Sequence, residues 1–405
     1  MYSFLKRNPL FRKYWISTWL SELGDWLRNM ALMYAVLDLF HKSSVAMSYI
    51  MFVEYAPIFL FAPLVGVFAD RWNRKRTIIA ANWYRAGMVM LLLEAVWFGP
   101  SWVIFLGAFL SAVGTLFFRA PGNAYTMQFV PEEDRKTAAS LRQISSSVMI
   151  LIGPVVGTSI YMFLGVQWSF LITILLFVIS AVLIKTILTS EIIERKGLSI
   201  YSVWSDLLTG IRYAFKHTTV RPILISAMFV GFGAGLIQVL EIFIITDFLE
   251  LPQTIIAVLG SIQGGGMLVS AFLVQRSKLS ADQLITYGMI VMGIGLGLMV
   301  LYPNLAITAA GILVFSLGQI SLNVGIATLM QTKVQYTYQG RVQMTFHSAL
   351  MGALTVALLV SGWMYQFIPL RALVISGGVI IILGGLLSSW LFSYGQHTEL
   401  AEHSV

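Results

Sequence analysis

Long apolar stretches alternate with short polar ones along nearly the whole chain. A helix needs about 20 apolar residues to cross a hydrocarbon core about 30 Å thick. Twelve stretches are close to that length, and the pattern therefore predicts an all-α membrane protein with twelve spanning helices. The predicted spans are residues 14–39, 44–68, 77–98, 101–129, 138–163, 168–188, 220–247, 253–275, 283–301, 304–329, 341–366 and 370–394.

The cations are distributed unevenly between the connections of this pattern. Most of the 26 lysines and arginines lie near the N-terminus or in every second connection, whereas the alternate connections are short turns such as residues 41–43 and 250–252. Cytoplasmic loops of membrane proteins are enriched in Lys and Arg. The distribution therefore predicts that both termini are cytoplasmic.

The composition supports a membrane protein and limits the alternatives. The 405 residues are 58% hydrophobic and only 11% charged, which is too apolar for a water-soluble domain. The net charge of +8 follows from the basic loops, so we expect the lipid bilayer and no nucleic acid as a partner. The chain has no cysteine, which excludes disulfides and cysteine metal sites. We expect no metal and no cofactor.

A longer polar segment divides the pattern into two halves. Residues 189–219 carry apolar side chains at helical spacings and charges on other faces, which predicts an amphipathic helix on the cytoplasmic membrane surface. We accordingly expect a six-helix bundle at 1–188, this linker, and a second six-helix bundle with a short tail at 220–405. The halves look like a diverged repeat, and parallel repeats of this kind place a substrate site near the bilayer midplane.

A dense charged segment follows the second span. Residues 66–76 read GVFADRWNRKR, which resembles motif A of the major facilitator superfamily. The resemblance implies two six-helix halves, with Asp70 facing the start of the 341–366 span and holding the outward-facing state. Asn73 stands where the family favours glycine; asparagine tolerates the left-handed turn conformation, so we expect the tight turn to be kept. The gating residues that the resemblance implies are Gly66, Asp70, Arg71, Asn73 and Arg74.

Two more segments resemble motifs that the family associates with export. Gly153, Pro154 and Gly157 resemble part of the antiporter motif, in which small residues let helices pack closely; an ordinary proline kink is the alternative. Residues 119–123 resemble the motif whose membrane arginine is linked to proton coupling. Three other segments are similar to those of macrolide efflux pumps and enterobactin exporters: residues 21–25, 130–134 and 339–342.

Ionisable residues within the spans are the candidates for coupling chemistry. An unpaired charge in hydrocarbon is so unfavourable that an intramembrane charge is a functional hypothesis by default. Asp25 and Glu54 are the leading proton-carrying carboxylates, with Arg28 and Arg119 as movable counter-charges; static buried ion pairs are the alternative. Arg85 is expected to extend toward the membrane surface. The residues assigned to proton coupling are Asp25, Glu54, Arg28, Arg119 and Glu22.

A substrate cavity is expected between the halves, lined by adaptable apolar and aromatic side chains and a few polar ones. Each polar candidate has helix packing as its alternative role. The candidates are Trp26, Met30, Tyr34, Tyr55, Gln238, Glu241, Gln263, Gln319 and Asn323.

The resemblance implies a secondary active transporter of the cell membrane. It is expected to be monomeric and to export a lipophilic or amphiphilic small molecule in exchange for protons. A lipid or siderophore exporter, an uncoupled facilitator and a sensor without transport activity are the alternatives. The chain has no P-loop, H-E-x-x-H or G-x-S-x-G motif, so ATP hydrolysis and these forms of catalysis are not indicated.

Overall fold

The computed structural model is helical along most of the chain. It describes residues 2–98, 101–126, 128–188, 220–334 and 336–402, with isolated positions between 205 and 217. The predicted amphipathic linker at 189–219 therefore lies almost entirely outside the described residues.

The chain divides into two compact units, Met1–Val203 and Trp204–Val405. The first unit begins with a short helix, and its longer helices correspond to the predicted spans. Its helices are α1 Tyr2–Arg7, α2 Pro9–Leu39, α3 Ser44–Arg71, α4 Arg74–Phe98, α5 Val103–Arg119, α6 Gly122–Thr126 and α7 Arg135–Lys185, with a 3-10 turn at Glu132–Asp134 before α7.

The second unit is built from long apolar helices. The first of them continues into one π-helical turn, Ile244–Phe248. Its helices are α8 Val220–Phe243, α9 Ile255–Arg276, α10 Ala281–Met299, α11 Leu305–Lys333, α12 Tyr336–Phe367 and α13 Leu370–Glu402.

One predicted span in the first unit is wrong, and one predicted break is confirmed. The span at 101–129 is interrupted, because α5 ends at Arg119 and the short α6 begins only at Gly122, beyond a proline that cannot donate a backbone hydrogen bond. The spans at 138–163 and 168–188 correspond to two helices within Arg135–Lys185 that meet at a non-helical residue, Gly165, so the predicted break between these spans is confirmed. Gly165 has φ 81°, a conformation that favours glycine, so the chain changes direction at this residue.

Eight helical stretches among the described residues are long and apolar enough to cross a membrane. The stretch that contains α7 is one of these eight, although its 51 residues would extend about 77 Å as helix, more than twice the thickness of a hydrocarbon core. α2 falls outside this set since it carries Glu22, Asp25 and Arg28 near its middle. These charged residues lower the hydropathy of α2, and they belong to the candidate site described below.

The two units repeat one packing pattern. In the first unit α2 and α4 both pack against α7, and α5 packs against α3 and α4. In the second unit α8 packs against α12 and α13, α10 packs against α11 and α13, and α9 packs against α11. The first, second and third long helices of each unit thus find equivalent partners, as expected for a diverged repeat.

Candidate functional site

A buried ion pair joins α2 and α4 in the middle of the first unit. Nη1 of Arg85 lies 3.1 Å from both carboxylate oxygens of Asp25. Arg85 is 0% exposed and Asp25 is 5% exposed. The expectation that Arg85 extends toward the membrane surface is therefore wrong, because its guanidinium is held inside the helix bundle.

The surroundings of Arg85 compensate for its removal from water. Its Nη2 donates hydrogen bonds to the Ser21 hydroxyl and to the Asn82 side-chain carbonyl. Its Cζ lies 4.4 Å from the ring centroid of Phe118 and 4.1 Å from that of Phe177, so two aromatic rings contact the guanidinium. Cation–π contacts and hydrogen bonds of this kind are what make a buried guanidinium tolerable.

Two more arginines approach the same carboxylate. Arg28 Nη1 lies 3.3 Å from Asp25 Oδ1, as the spacing of three residues on α2 predicts, and donates a 2.8 Å hydrogen bond to the Ser111 hydroxyl. Arg119 Nη2 lies 3.8 Å from Asp25 Oδ2. The Arg119 side chain is 60% exposed, whereas that of Arg28 is 4% exposed. Arg119 is thus the most loosely held of the three cations.

Glu54 on α3 and Glu22 on α2 supply the other negative charges near this cluster. Oε1 of Glu54 and Oε2 of Glu22 are buried and have no hydrogen-bond partner among the residues that the structure describes. Glu54 interacts electrostatically with Arg28 and Asp25. Glu22 interacts most strongly with Arg119 and then with Asp25. No ion pair within 4.0 Å joins Glu54 to Arg28 in the described part of the chain, so Glu54 is a neighbour of the ion pairs without being part of one.

Helical spacing explains how the sequence places these groups. On α2, Ser21, Asp25 and Arg28 follow one another by four and three residues and share one face. On α4, Asn82 and Arg85 stand three apart. Sequence reasoning missed Arg85, although this polar pair on one face of a spanning helix was a signal that the arginine has a partner inside the bundle.

The antiporter-like segment on α7 packs against α2. A Cβ atom added to Gly153 would lie 2.4 Å from Cγ of Trp26, and one added to Gly157 would lie 2.8 Å from Cγ of Met30. Both distances are too short for a real Cβ contact, so only glycine permits this close approach of the helices. Trp26 and Met30, two of the predicted cavity residues, therefore contact the glycines of α7.

The basic segment between α3 and α4 is described only in part. Gly66, Asp70 and Arg71 belong to α3, but the surroundings of these three residues lie outside the part of the chain that the structure describes. Asn73 accepts a 2.7 Å hydrogen bond from the backbone N–H of Arg76, so it caps the first turn of α4. The turn between α3, which ends at Arg71, and α4, which begins at Arg74, is tight although the φ of Asn73 is not positive.

The remaining cavity candidates are placed in different surroundings. Tyr34 is 0% exposed and stacks on Tyr161 at 4.8 Å between ring centroids, whereas Tyr55 is half-buried. In the second unit Glu241 and Asn323 are exposed, and Gln238 is half-buried.

Gln263 and Gln319 lie on helices that pack together, α9 and α11. The hydroxyl of Ser316, three residues before Gln319, donates to the backbone carbonyl of Gln263 at 3.3 Å. Oε1 of Gln319 is buried and has no hydrogen-bond partner among the described residues. These two polar candidates therefore lie on neighbouring helices of the second unit.

One pair of equivalent contacts was not predicted. The Tyr161 hydroxyl donates to Asp38 at 2.5 Å in the first unit, and the Tyr365 hydroxyl donates to Asp247 at 2.8 Å in the second. Each aspartate stands three residues before a non-glycine residue with positive φ, His41 in one case and Glu250 in the other. Each unit therefore carries the same hydrogen bond between its first long helix and the helix that packs against it.

Known proteins resemble the chain over most of its length. The sequence model of the Major Facilitator Superfamily matches residues 14–355. Macrolide efflux protein A of Streptococcus pyogenes is 23% identical over 92% of this chain and 93% of its own length. The uncharacterized MFS-type transporter YkuC of Bacillus subtilis is 26% identical over 58% of this chain and 57% of its own length.

A solved structure shares the fold. A bacterial homologue of the human lysosomal transporter Spinster, in an inward-facing and unoccupied conformation, has a TM-score of 0.73 and 12% identity, covering 96% of this chain and 98% of that one. The chain is therefore a multi-pass membrane protein with the fold of a solute transporter. It belongs to the Major Facilitator Superfamily, and its matched relatives are transporters, not enzymes.

Proposed function

We propose that the protein exports a hydrophobic or amphiphilic small molecule from the cell by alternating access, in exchange for protons. The observation that carries the proposal is the buried, unpartnered carboxylate oxygen of Glu54 beside the ion pairs of Asp25. A buried carboxyl group that makes no ion pair can take up a proton without first breaking one. The similarity to macrolide efflux protein A supports export of a lipophilic compound.

The ionised residues of the cluster have different roles in this proposal. Asp25 is the counter-charge of Arg85, and its own protonation would require a buried cation to lose its partner. Glu54 and Glu22 are the carboxyl groups that exchange protons, and Glu22 is the one that interacts with the exposed Arg119. Arg28 interacts with both Asp25 and Glu54, so a change in the charge of Glu54 alters the balance of charge at Asp25.

Coupling follows from the balance of charge. Three arginines face three carboxyl groups, so the cluster is neutral when all are ionised and carries one positive charge when Glu54 is protonated. The added positive charge repels a cationic amphiphile. It also favours an outward movement of Arg119, the most exposed of the three arginines in the cluster. A proton and a cationic substrate therefore compete for the cluster, which is the requirement for antiport.

The membrane arrangement is part of the same proposal. Twelve spanning helices with both termini in the cytoplasm are supported by the basic connections and by the length of α7. Bundles at 1–188 and 220–405 are joined by a linker at 189–219, and the protein acts as a monomer. Asp70 and Arg74, with their neighbours in the basic segment, control the conformational change.

Transport by purified protein in liposomes tests the proposal. An imposed pH gradient, acidic on the side to which substrate is exported, should drive transport of a lipophilic cationic dye and of a macrolide by the wild type. Glu54→Gln should abolish the effect of the gradient. Glu94→Gln is the matched control because it makes the same chemical change at an exposed residue of α4. A gradient that accelerates transport equally in wild type and Glu54→Gln would refute the role of Glu54.

A further inference from the structure

A groove opens on the first unit beside the basic segment. Its volume is about 690 Å³, within the usual range for a small-molecule site. It lies where the end of α3 meets the first half of α4 and the second half of α5. The lining residues are Trp72, Asn73, Arg76, Thr77, Ala80, Ala81, Tyr84, Val113, Gly114 and Phe117.

The body of the groove is apolar and partly aromatic. Trp72 stacks on Phe117 with 5.9 Å between ring centroids and an angle of 15°, and Tyr84 stands farther along the groove. Trp72 is 49% exposed and Tyr84 is 39% exposed. Flat aromatic walls of this kind offer an extended apolar surface suited to a hydrocarbon chain.

The end of the groove near the basic segment is cationic. Arg76 is exposed and forms no ion pair with any residue whose side chain the structure describes. Arg74 and Lys75 precede it, and the first turn of α4 contains no acidic residue. An occupant that matches both ends must therefore join a negative charge to a long apolar body.

We propose that this groove binds one anionic phospholipid, with an acyl chain between Trp72, Tyr84 and Phe117 and the phosphate at Arg76. Membrane-surface cations attract anionic headgroups at short range, which complements apolar burial of the chain. The proposal rests on the proposed function only in placing the basic segment at the cytoplasmic membrane surface. The lipid is a bound partner of the first unit and is not the transported molecule.

The floor of the groove adjoins the ion cluster. A Cβ atom on Gly114 would lie 2.7 Å from Cγ of Arg85 and 2.7 Å from Cδ1 of Tyr84, so both side chains contact this glycine. A lipid chain that fills the groove therefore packs against the contact between α4 and α5 beside Arg85.

Fluorescence quenching by brominated lipids tests the proposal without substrate or proton gradient, so its result is independent of the transport assay. Purified full-length protein in neutral detergent is titrated with phosphatidylglycerol carrying dibrominated acyl chains and, separately, with phosphatidylcholine carrying the same chains. The signal of Trp72 is taken as the difference between wild type and Trp72→Phe. We expect phosphatidylglycerol to quench this signal at a concentration about fivefold lower than phosphatidylcholine, the effect of one cation near a membrane surface.

Three variants decide the outcome. Arg76→Gln should remove the preference for phosphatidylglycerol, whereas Arg276→Gln, which removes an exposed cation of the second unit, should keep it. Ala80→Phe should fill the groove and abolish quenching of Trp72 by both lipids. Equal quenching by both lipids in the wild type, or an unchanged preference in Arg76→Gln, would overturn the proposal. Arg76 is exposed, so this arm remains decisive if Ala80→Phe does not fold.

Discussion

Nη1 of Arg85 is 3.1 Å from each carboxylate oxygen of Asp25, and this contact links α2 to α4 inside the first unit. The residues are 60 positions apart in the chain. Because Arg85 is wholly buried, Asp25 is the group that makes its charge tolerable. The pair therefore stabilises the fold as well as setting the charge of the candidate site.

Asp25→Asn is expected to destabilise the first unit. The substitution leaves Arg85 buried without a full counter-charge, and breaking a buried ion pair in this way costs about 3 kcal/mol or more. Thermal unfolding of the purified protein should show a clearly lower midpoint for Asp25→Asn. The exposed Glu133→Gln, which removes one carboxylate from the surface, should unfold as the wild type does.

The double variant Asp25→Asn/Arg85→Gln separates loss of the pair from loss of either residue. Removing both charges leaves no uncompensated cation from this pair, so the double variant should be more stable than the sum of the two single effects predicts. Strict additivity would mean that the two side chains do not stabilise each other.

Gly153→Ala is expected to weaken the packing of α2 on α7. Its new methyl group would meet Cγ of Trp26, an atom at the base of a rigid ring, and overpacking of this kind costs about 1–3 kcal/mol. The thermal midpoint should fall, and Trp26→Leu in the same protein should restore part of it. Gly87→Ala is the control because nothing lies within 4 Å of its new atom, and helix propensity makes it neutral or stabilising. Equal midpoints for Gly153→Ala and Gly87→Ala would contradict the close contact.

Tyr161→Phe and Tyr365→Phe each remove one hydrogen bond to an aspartate. The two bonds belong to different units, so their effects should be similar in size and additive in the double variant. Each should lower the thermal midpoint, since a hydrogen bond to a charged group contributes about 1.5–3 kcal/mol when well shielded and less at these exposed positions. Tyr287→Phe, at an exposed residue of α10, should have no effect. A stable protein with both phenylalanines would show that neither bond contributes.

The sequence predicts the helices better than their interruptions. Apolar length alone places the ends of α3 and of α8 to α12 within five residues, because spanning helices have a length set by the membrane, whereas α13 extends to Glu402, beyond the predicted end at 394. The interruption after Arg119 was missed because hydropathy is insensitive to a proline within an apolar stretch. The break at Gly165 was predicted, because the apolar pattern separates the spans at residues 163 and 168.

The candidate site could be predicted only within single helices. The contact between Asp25 and Arg28 follows from their spacing on α2 and is confirmed. The contact between Asp25 and Arg85 depends on the rotation of α4 against α2, which periodicity does not determine for helices that are apolar on most faces. Trp26 was assigned to a cavity from its residue type, which gives no information on its contact with Gly153.

Substrate-induced proton release tests the central proposal most directly. Purified protein in weakly buffered detergent solution is mixed with a lipophilic cationic dye, and the pH of the solution is followed with a soluble indicator. If the dye and a proton compete for Glu54, the wild type and Glu94→Gln should release protons when dye binds, and Glu54→Gln should release none while remaining folded. Proton release from Glu54→Gln equal to that of the wild type would contradict the assignment of Glu54 as the proton carrier.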